Sequence, residues 1–432
     1  MRRRVVHGGT LVTPDDIVHA DILIENERIV RVAPAIEEPE AEVISAEGYF
    51  ILPGLIDAHV HLRDPGATHK EDWATGTRAA IAGGVTTILD MPNNPQPTAN
   101  RASLQVKRAL ARSKALCDYG FYVGATQENA EEANDPALGA VGIKLYLGAT
   151  TGDLLVTDFG SLYRHFTQPG SRPIVVHAED NEALRVFGKD PTRTRHSDKR
   201  PDLCASLAVS RVLAIAEASS RHLHIAHTST AGEIELIQAA RARGMRVSFE
   251  VTPQHLFLST ADEERLGPFG IVNPPLRSPE NVRALWEHLS SCDMIATDHA
   301  PHTIEEKQSA NPPSGMPGLE TLLPLLLTAA NEKRLSLQDI ARLTSQGPAR
   351  VFGLARKGQL LPGYDADLVL FRPEEEHILG KPWQTKCNWS TFEGRRARGK
   401  VARVLIRGRD ALVDGEIVGN PQAGREIDRE RA

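Results

Sequence analysis

The 432-residue chain has only four cysteines, Cys117, Cys204, Cys292 and Cys387, and no two of them form a Cys-x-x-Cys pair. That spacing excludes a disulfide framework and a zinc ribbon, and a reducing cytoplasm is the expected compartment. Basic charge is not in excess. Fifty Lys and Arg against 56 Asp and Glu leave a formal net charge of −6. No positive field draws nucleic acid, and no polybasic stretch marks a membrane surface. Long apolar runs are also missing. The longest, at 322–330, contains Pro324 and is too short to cross a bilayer. Arg2, Arg3 and Arg4 lead into no apolar segment, so no signal peptide is expected there. Low-complexity stretches and internal repeats are absent apart from a βα alternation.

The composition, 41% hydrophobic and 25% charged, belongs to a soluble globular chain with a large core. The length suits more than one domain, or one large barrel with a satellite. Residues 1–53 alternate short β-like runs, at 4–7, 21–24 and 28–32, with polar turns. Strand-like runs follow at 55–62, 86–91, 119–125, 142–147, 174–178, 223–228, 246–252 and 294–298. Several are continuously apolar, as strands covered on both faces are. Helices fit between them, at 73–82 and 205–218 among others. The pattern predicts an α/β fold, a (β/α)8 TIM barrel, with a doubly wound open sheet as the competing topology. Beyond helices at 319–331 and 337–352, β character returns at 367–371 and 403–407, and Asp414-Gly415 reads as a hairpin turn. Two domains are therefore expected. Residues 54–354 form the metal-dependent catalytic barrel, and 1–53 with 355–432 form a small β-sandwich-like domain from both chain ends.

Chemistry-bearing residues fall at the ends of the expected barrel strands. His59 and His61 end the first, Asn93 follows the second, and Lys144 lies in the fourth. His177 ends the fifth, His227 the sixth and Asp298 the eighth. Strand C-termini surround the active site of a TIM barrel, so one mouth gathers four histidines, a lysine and an aspartate. His-Val-His on a strand turns both imidazoles to one face. Imidazoles with a carboxylate suit zinc and similar ions. A structural reading competes at each position taken singly: a satisfied histidine pair, a rim histidine, a capping aspartate, or a lysine reaching into solvent. An ammonium at Lys144 beside two dications would be repelled. Reaction with carbon dioxide would turn it into an anionic, two-oxygen carbamate that bridges both ions.

The stretches His59-Val-His-Leu-Arg-Asp-Pro-Gly66 and His69-Lys-Glu-Asp72 resemble the dihydroorotases of the cyclic amidohydrolase group. So do Met91-Pro-Asn-Asn94, Lys144-Leu-Tyr-Leu147, Ile174-Val-Val-His-Ala-Glu179, Thr297-Asp-His-Ala-Pro-His302 and Gly315-Met-Pro-Gly-Leu-Glu320. With the terminal β segments, the resemblance spans nearly the whole chain and looks closest to the form with a carboxylated lysine. It implies that His59, His61 and Asp298 bind one metal, that His177 and His227 bind the other, and that carboxylated Lys144 bridges them. Two zinc ions per chain are implied, with other divalent metals as substitutes. Asp298 is implied as the acid/base. Arg63, Asn93 and His302 are implied as a substrate clamp, with Asn273 and the backbone near Pro317 at the substrate ring. A small-molecule substrate, a homo-oligomer and association with aspartate transcarbamoylase are the expected partners, without nucleic acid or membrane. Two positions depart from the family pattern: Asn94, where relatives often carry Thr, and the loop 149–157. That loop is expected to close over substrate, with Thr150 or Thr151 reaching it.

The activity implied is reversible hydrolysis of the cyclic amide of dihydroorotate to N-carbamoyl-L-aspartate, a step of pyrimidine biosynthesis. Arg63 separates this from its neighbours. Dihydroorotate carries a carboxylate outside the reacting amide, and a planar guanidinium matches it. Allantoinases typically show Asn at that place. The plainer reading of Arg63 is a surface ion pair with Asp64 or Glu71. The alternatives are another cyclic amidase (allantoinase, hydantoinase or dihydropyrimidinase) and a non-catalytic dihydroorotase-like partner of aspartate transcarbamoylase. The second would have lost metal ligands, all of which are present here.

Overall fold

The structure is a computed structural model that describes residues 2–149, 154–420, 422–427 and 429. Eight parallel strands follow one another in sequence and in space: Leu55–Val60, Val85–Asp90, Asp118–Gly124, Gly142–Tyr146, Ile174–His177, Leu223–Ile225, Val247–Val251 and Met294–Ile295. A parallel bridge from Val60 to His299, with the His61 N–H donating to the His299 carbonyl at 2.8 Å, brings the last segment back to the first. The sheet is thus a nearly closed (β/α)8-type barrel, and the open-sheet alternative falls. Every residue of these strands is buried, which accounts for their continuous apolar character.

Local chemistry sets the helix boundaries. Trp73–Ala82 begins where the Asp72 side chain accepts from the N–H groups of Ala74 and Thr75, and the Thr75 side chain bonds back to the Asp72 backbone N–H. Thr230 with Glu233 does the same for Ala231–Ala242. The single helix expected over 337–352 is instead two α segments, Leu337–Ala341 and Gly347–Phe352, joined by a π-helical turn at Arg342–Gln346. Pro348 has no N–H to give to the carbonyl four residues back, so the ladder changes pitch there.

A second, nine-stranded sheet combines both chain ends. Its joint is Phe50–Pro53, which runs parallel to Arg3–Val12 on one side and antiparallel to Leu368–Phe371 on the other, with Ile51 opposite Leu370. Asp414 and Gly415, both at positive φ, turn Arg409–Val413 back onto Glu416–Ile417. The chain crosses from this sheet into the barrel at Gly54, where a Cβ would lie 2.2 Å from Thr86 Oγ1. No described helix is long and apolar enough to cross a membrane, and all four cysteines are buried and free.

Candidate metal centre and active site

The barrel strands deliver their C-terminal side chains to one cavity. It is lined by His59, His61, Arg63, Asn93, Lys144, Tyr146, His177, His227, Asn273, Asp298, Ala300, Ser314 and Gly315. His59, His61 and Asp298 offer ligand atoms within 4.8 Å of one another. His61 Nε2 lies 2.9 Å and His59 Nε2 3.4 Å from Asp298 Oδ1. Beside this group, His177 Nδ1 is 2.9 Å from His227 Nε2. His227 and Asp298 hold left-handed backbone, φ 36° and 49°, a strained conformation for non-glycine residues that clusters at functional sites.

Burial leaves these imidazoles neutral, with lone pairs available. Desolvation, with help from Lys144, pushes His59 down to about 4, and His61 and His227 also fall well below the ordinary range. Three of the four metal-facing rings are held from behind. His59 Nδ1 donates to Glu250 Oε1 at 2.5 Å, His61 Nδ1 donates to Asn93 Oδ1 at 2.6 Å, and His177 Nε2 lies 3.1 Å from Glu179 Oε2. Burial alone would raise the Glu179 carboxyl, but Arg200 and His177 hold it well below its usual value. Lys144 is fully buried, so the reading that sends it into solvent fails. Its Nζ sits 3.5 Å from His59 Nε2, with no carboxylate within salt-bridge distance among the described residues. Desolvation pushes its pKa down to about 8. A buried ammonium without a counter-ion is costly, which fits a side chain that works in a neutralised form.

The donor set fits divalent metal. Among the described residues His227 Nδ1 is buried without a hydrogen-bond partner, and four neutral imidazoles converge with a carboxylate on one cavity. A second group with ligand spacing, Asp118, Asp365 and Asp367, lies elsewhere. Lys357 fills it, with Nζ 2.6 Å from Asp118 and 2.7 Å from Asp367, and Arg407 pairs with Asp118 as well. It is a buried ion-pair network.

The other expected residues divide into those at the cavity and those behind it. Arg63 lines the cavity and is 5% exposed. It pairs with neither Asp64, which is taken by Lys114 at 2.6 Å, nor Glu71, which bonds Thr75 and Thr385. Its Nε donates to the Pro301 carbonyl at 3.2 Å, and Nη2 lies 3.2 Å from His302 Nε2. Asn273 lines the cavity and accepts from His196 at 2.9 Å. His302 stands behind Arg63 and outside the cavity lining. Desolvation, then Arg63, Lys70 and Lys307, push its pKa to about 2, so it is neutral. Pro317 lines a separate hollow beside Trp383 and Trp389. Thr150 and Thr151 lie outside the described residues. The loop's far flank is anchored by buried Leu154 and Val156, and Thr157 accepts from Arg211 at 2.7 Å.

Sequence reasoning missed Glu250, Tyr146, Ser314 and Gly315. Glu250 did leave a signal, a carboxylate inside the otherwise apolar strand Val247–Val251. Gly315 opens the quoted stretch Gly315-Met-Pro-Gly-Leu-Glu320, and Ser314 left no signal, because it arrives on a loop whose path is set by tertiary packing.

Comparison with known proteins agrees with this geometry. The model of the amidohydrolase family matches residues 50–147 and 171–411. The chain is 40% identical over 408 residues to a dihydroorotase of Halobacterium salinarum, covering 92% of this chain and 94% of that protein. It is 38% identical over 415 residues to the multifunctional protein CAD of Squalus acanthias, covering 95% of this chain but only 17% of that much longer protein. Among solved structures, the L-hydantoinase (dihydropyrimidinase) from Arthrobacter aurescens superposes with a TM-score of 0.95 at 29% identity, covering 99% of this chain and all of that one. A metal-ligand cluster at the mouth of a (β/α)8 barrel and matches along almost the full length lead to one conclusion: the chain belongs to the amidohydrolase family, as a cyclic-amide hydrolase of its dihydroorotase and hydantoinase branch.

Proposed function

We propose that this enzyme is a dihydroorotase, interconverting dihydroorotate and N-carbamoyl-L-aspartate in the cytoplasm. The observation that carries the reading is Arg63. Its guanidinium is buried at the wall of the cavity, next to the metal-ligand cluster and clear of any carboxylate partner. Among the described residues its Nη1 has no hydrogen-bond partner, so half of the fork is available to a substrate carboxylate. Lys70 lies 3.2 Å from the His302 ring and is paired with Glu306 at 3.0 Å. The dihydroorotase relatives at 40% and 36% identity support the same reading.

Two divalent ions, zinc by the nature of the donors, are proposed, because five ligands and Lys144 are too many for one tetrahedral ion. His59, His61 and Asp298 would hold one and His177 and His227 the other, with carboxylated Lys144 between them. When bound, such ions polarise an amide carbonyl and lower the pKa of water from about 15.7 toward 7. The chain's own groups do the rest. Arg63 holds the substrate carboxylate and orients the ring, with Asn93 and Asn273 on the cavity wall beside it. Asp298, facing the cavity at the end of the eighth strand, accepts the proton of the attacking water and returns it to the leaving ring nitrogen. Neutral His302 sets the position of Arg63 from behind. Assembly into a homo-oligomer, and association with aspartate transcarbamoylase, belong to the same proposal; sizing of the enzyme alone and mixed with that partner tests both.

The fold likeness to hydantoinases gives the second reading, a hydantoinase or dihydropyrimidinase. Those substrates lack the carboxylate that Arg63 is placed to meet. A panel of dihydroorotate, dihydrouracil and hydantoin, run with metal content measured on the same sample, separates the two. Dihydroorotate should be turned over best, with about two ions per chain. Preference for dihydrouracil or hydantoin would overturn the proposal.

A further inference from the structure

Below the cavity runs a line of buried polar groups with no part in the chemistry outlined above. Glu250 is fully buried, and both its oxygens are committed. Oε1 lies 2.5 Å from His59 Nδ1 and accepts the His227 backbone N–H at 3.1 Å. Oε2 lies 3.1 Å from His224 Nε2. His224 Nδ1 is 2.8 Å from Ser248 Oγ, and that hydroxyl is 2.8 Å from His222 Nε2. His222 Nδ1 ends the line, buried and without a partner among the described residues. His222 and Ser248 stand at the starts of neighbouring parallel strands and His59 near the end of another, so the line descends through the barrel from mouth to floor.

Donor accounting gives the line a direction. His59 can present Nε2 to the cavity only if its hydrogen is on Nδ1, pointing at Glu250. The His227 N–H is a donor by nature. The second oxygen of Glu250 then takes the Nε2 hydrogen of His224, whose Nδ1 lone pair takes the Ser248 hydroxyl hydrogen. The Ser248 oxygen takes the His222 Nε2 hydrogen. Burial beside His224, Arg246 and Arg241 pushes His222 to about 3, so that ring stays neutral and brings a single hydrogen. Every hydrogen in the line points toward one carboxylate.

We propose that Glu250 is a positioning residue shared by both halves of the metal centre, and that His224, Ser248 and His222 form the hydrogen-bonded stack that keeps it an acceptor on both oxygens. The inference rests on the metal-ligand reading of His59 and His227. A carboxylate behind an imidazole fixes its ring plane and tautomer and raises its strength as a ligand. The same oxygen pins the strained backbone of His227, whose φ is 36°. The other orienting groups each serve one histidine, Asn93 for His61 and Glu179 for His177. Glu250 is positioned to act on both.

The test is zinc affinity by competition with a chromophoric chelator on the full-length protein, with circular dichroism confirming the fold. Glu250→Gln keeps the shape and removes the charge; it should weaken both zinc ions by about 10- to 100-fold. Glu179→Gln should weaken one ion only. Ser248→Ala breaks the stack two hydrogen bonds from Glu250 and should weaken zinc by about two- to tenfold, the worth of one neutral hydrogen bond. Ser248→Thr, which keeps the hydroxyl, should recover it. His59→Ala is the control for the metal reading itself: unchanged zinc binding there defeats that reading. If His59→Ala weakens zinc while Glu250→Gln does not, or weakens only one ion, the shared role of Glu250 is wrong. If Ser248→Ala binds zinc like the wild type, the stack has no role, and that outcome holds even if Glu250→Gln fails to fold.

Discussion

Replacing Arg63 with alanine asks which substrate the cavity is built for. The position has φ 62°, in the left-handed region, and alanine meets the same backbone cost as arginine there, so the change isolates the side chain. What is lost is the guanidinium at the cavity wall and its bond to the Pro301 carbonyl. A hydrogen bond to a charged group contributes about 1.5–3 kcal/mol. At about 1.36 kcal/mol per factor of ten, kcat/KM for dihydroorotate should fall by roughly 10- to 150-fold. Arg63→Lys should recover only part of this, because a point charge lacks the two-pronged fork and the stem no longer reaches both Pro301 and substrate. Metal content should not change, since Arg63 is 5% exposed behind the rim and is not among the clustered ligands. The assay compares dihydroorotate with dihydrouracil, which has a similar ring without the carboxylate. Wild type should strongly prefer dihydroorotate, and Arg63→Ala should shrink that preference. Equal losses on both substrates would show that Arg63 serves the reacting centre or the fold, and the substrate assignment would fall with it.

Lys144→Ala should lose most turnover and at least one metal ion, and short carboxylic acids should restore part of both by filling the space between the ions; near-normal turnover and metal content would refute the carbamate. Lys357→Met should destabilise the protein by about 3–5 kcal/mol in urea titration, because it takes the ammonium away from the buried carboxylate of Asp367 and leaves Asp118 to Arg407 alone. Burial opposes the charge on Lys357, but Asp367 and Asp365 raise its pKa above 10.5. Its contribution is therefore complete below the unfolded value near 10.5 and disappears only as pH rises through the folded one; a wild-type-to-variant gap that closes at neutral pH would contradict this. Exhaustive chelation should abolish activity, and zinc with bicarbonate should restore it better than zinc alone; equal recovery without bicarbonate would count against a carboxylated lysine.

Much of the barrel was legible because its signals are local. A strand covered on both faces needs an apolar run, so 86–91 and 142–147 fall within a residue of the observed Val85–Asp90 and Gly142–Tyr146. A helix start needs an acceptor for its free N–H groups, and Asp72 announces Trp73–Ala82. Polar residues stand out at the ends of such runs, and the convergence of His59, His61, Lys144, His177, His227 and Asp298 follows from the barrel rule alone. The π-turn at Arg342–Gln346 was not legible, since hydrophobic periodicity does not register one extra residue per turn.

Tertiary structure decided everything that depends on which atom meets which. Asn93 was expected at the substrate, and its oxygen holds His61 as well. His302 and Pro317 share a motif region with cavity residues, yet packing places one behind Arg63 and the other in a neighbouring hollow, while Ser314 and Gly315 reach the wall. Glu250, nearly two hundred positions from His59 in the chain, ends 2.5 Å from its ring. Sequence alone determined which strand-end histidines, lysine and aspartate could reach the barrel mouth, because strand periodicity and burial act over a few residues. Their pairing was decided by strand register and loop path, which only the closed barrel sets.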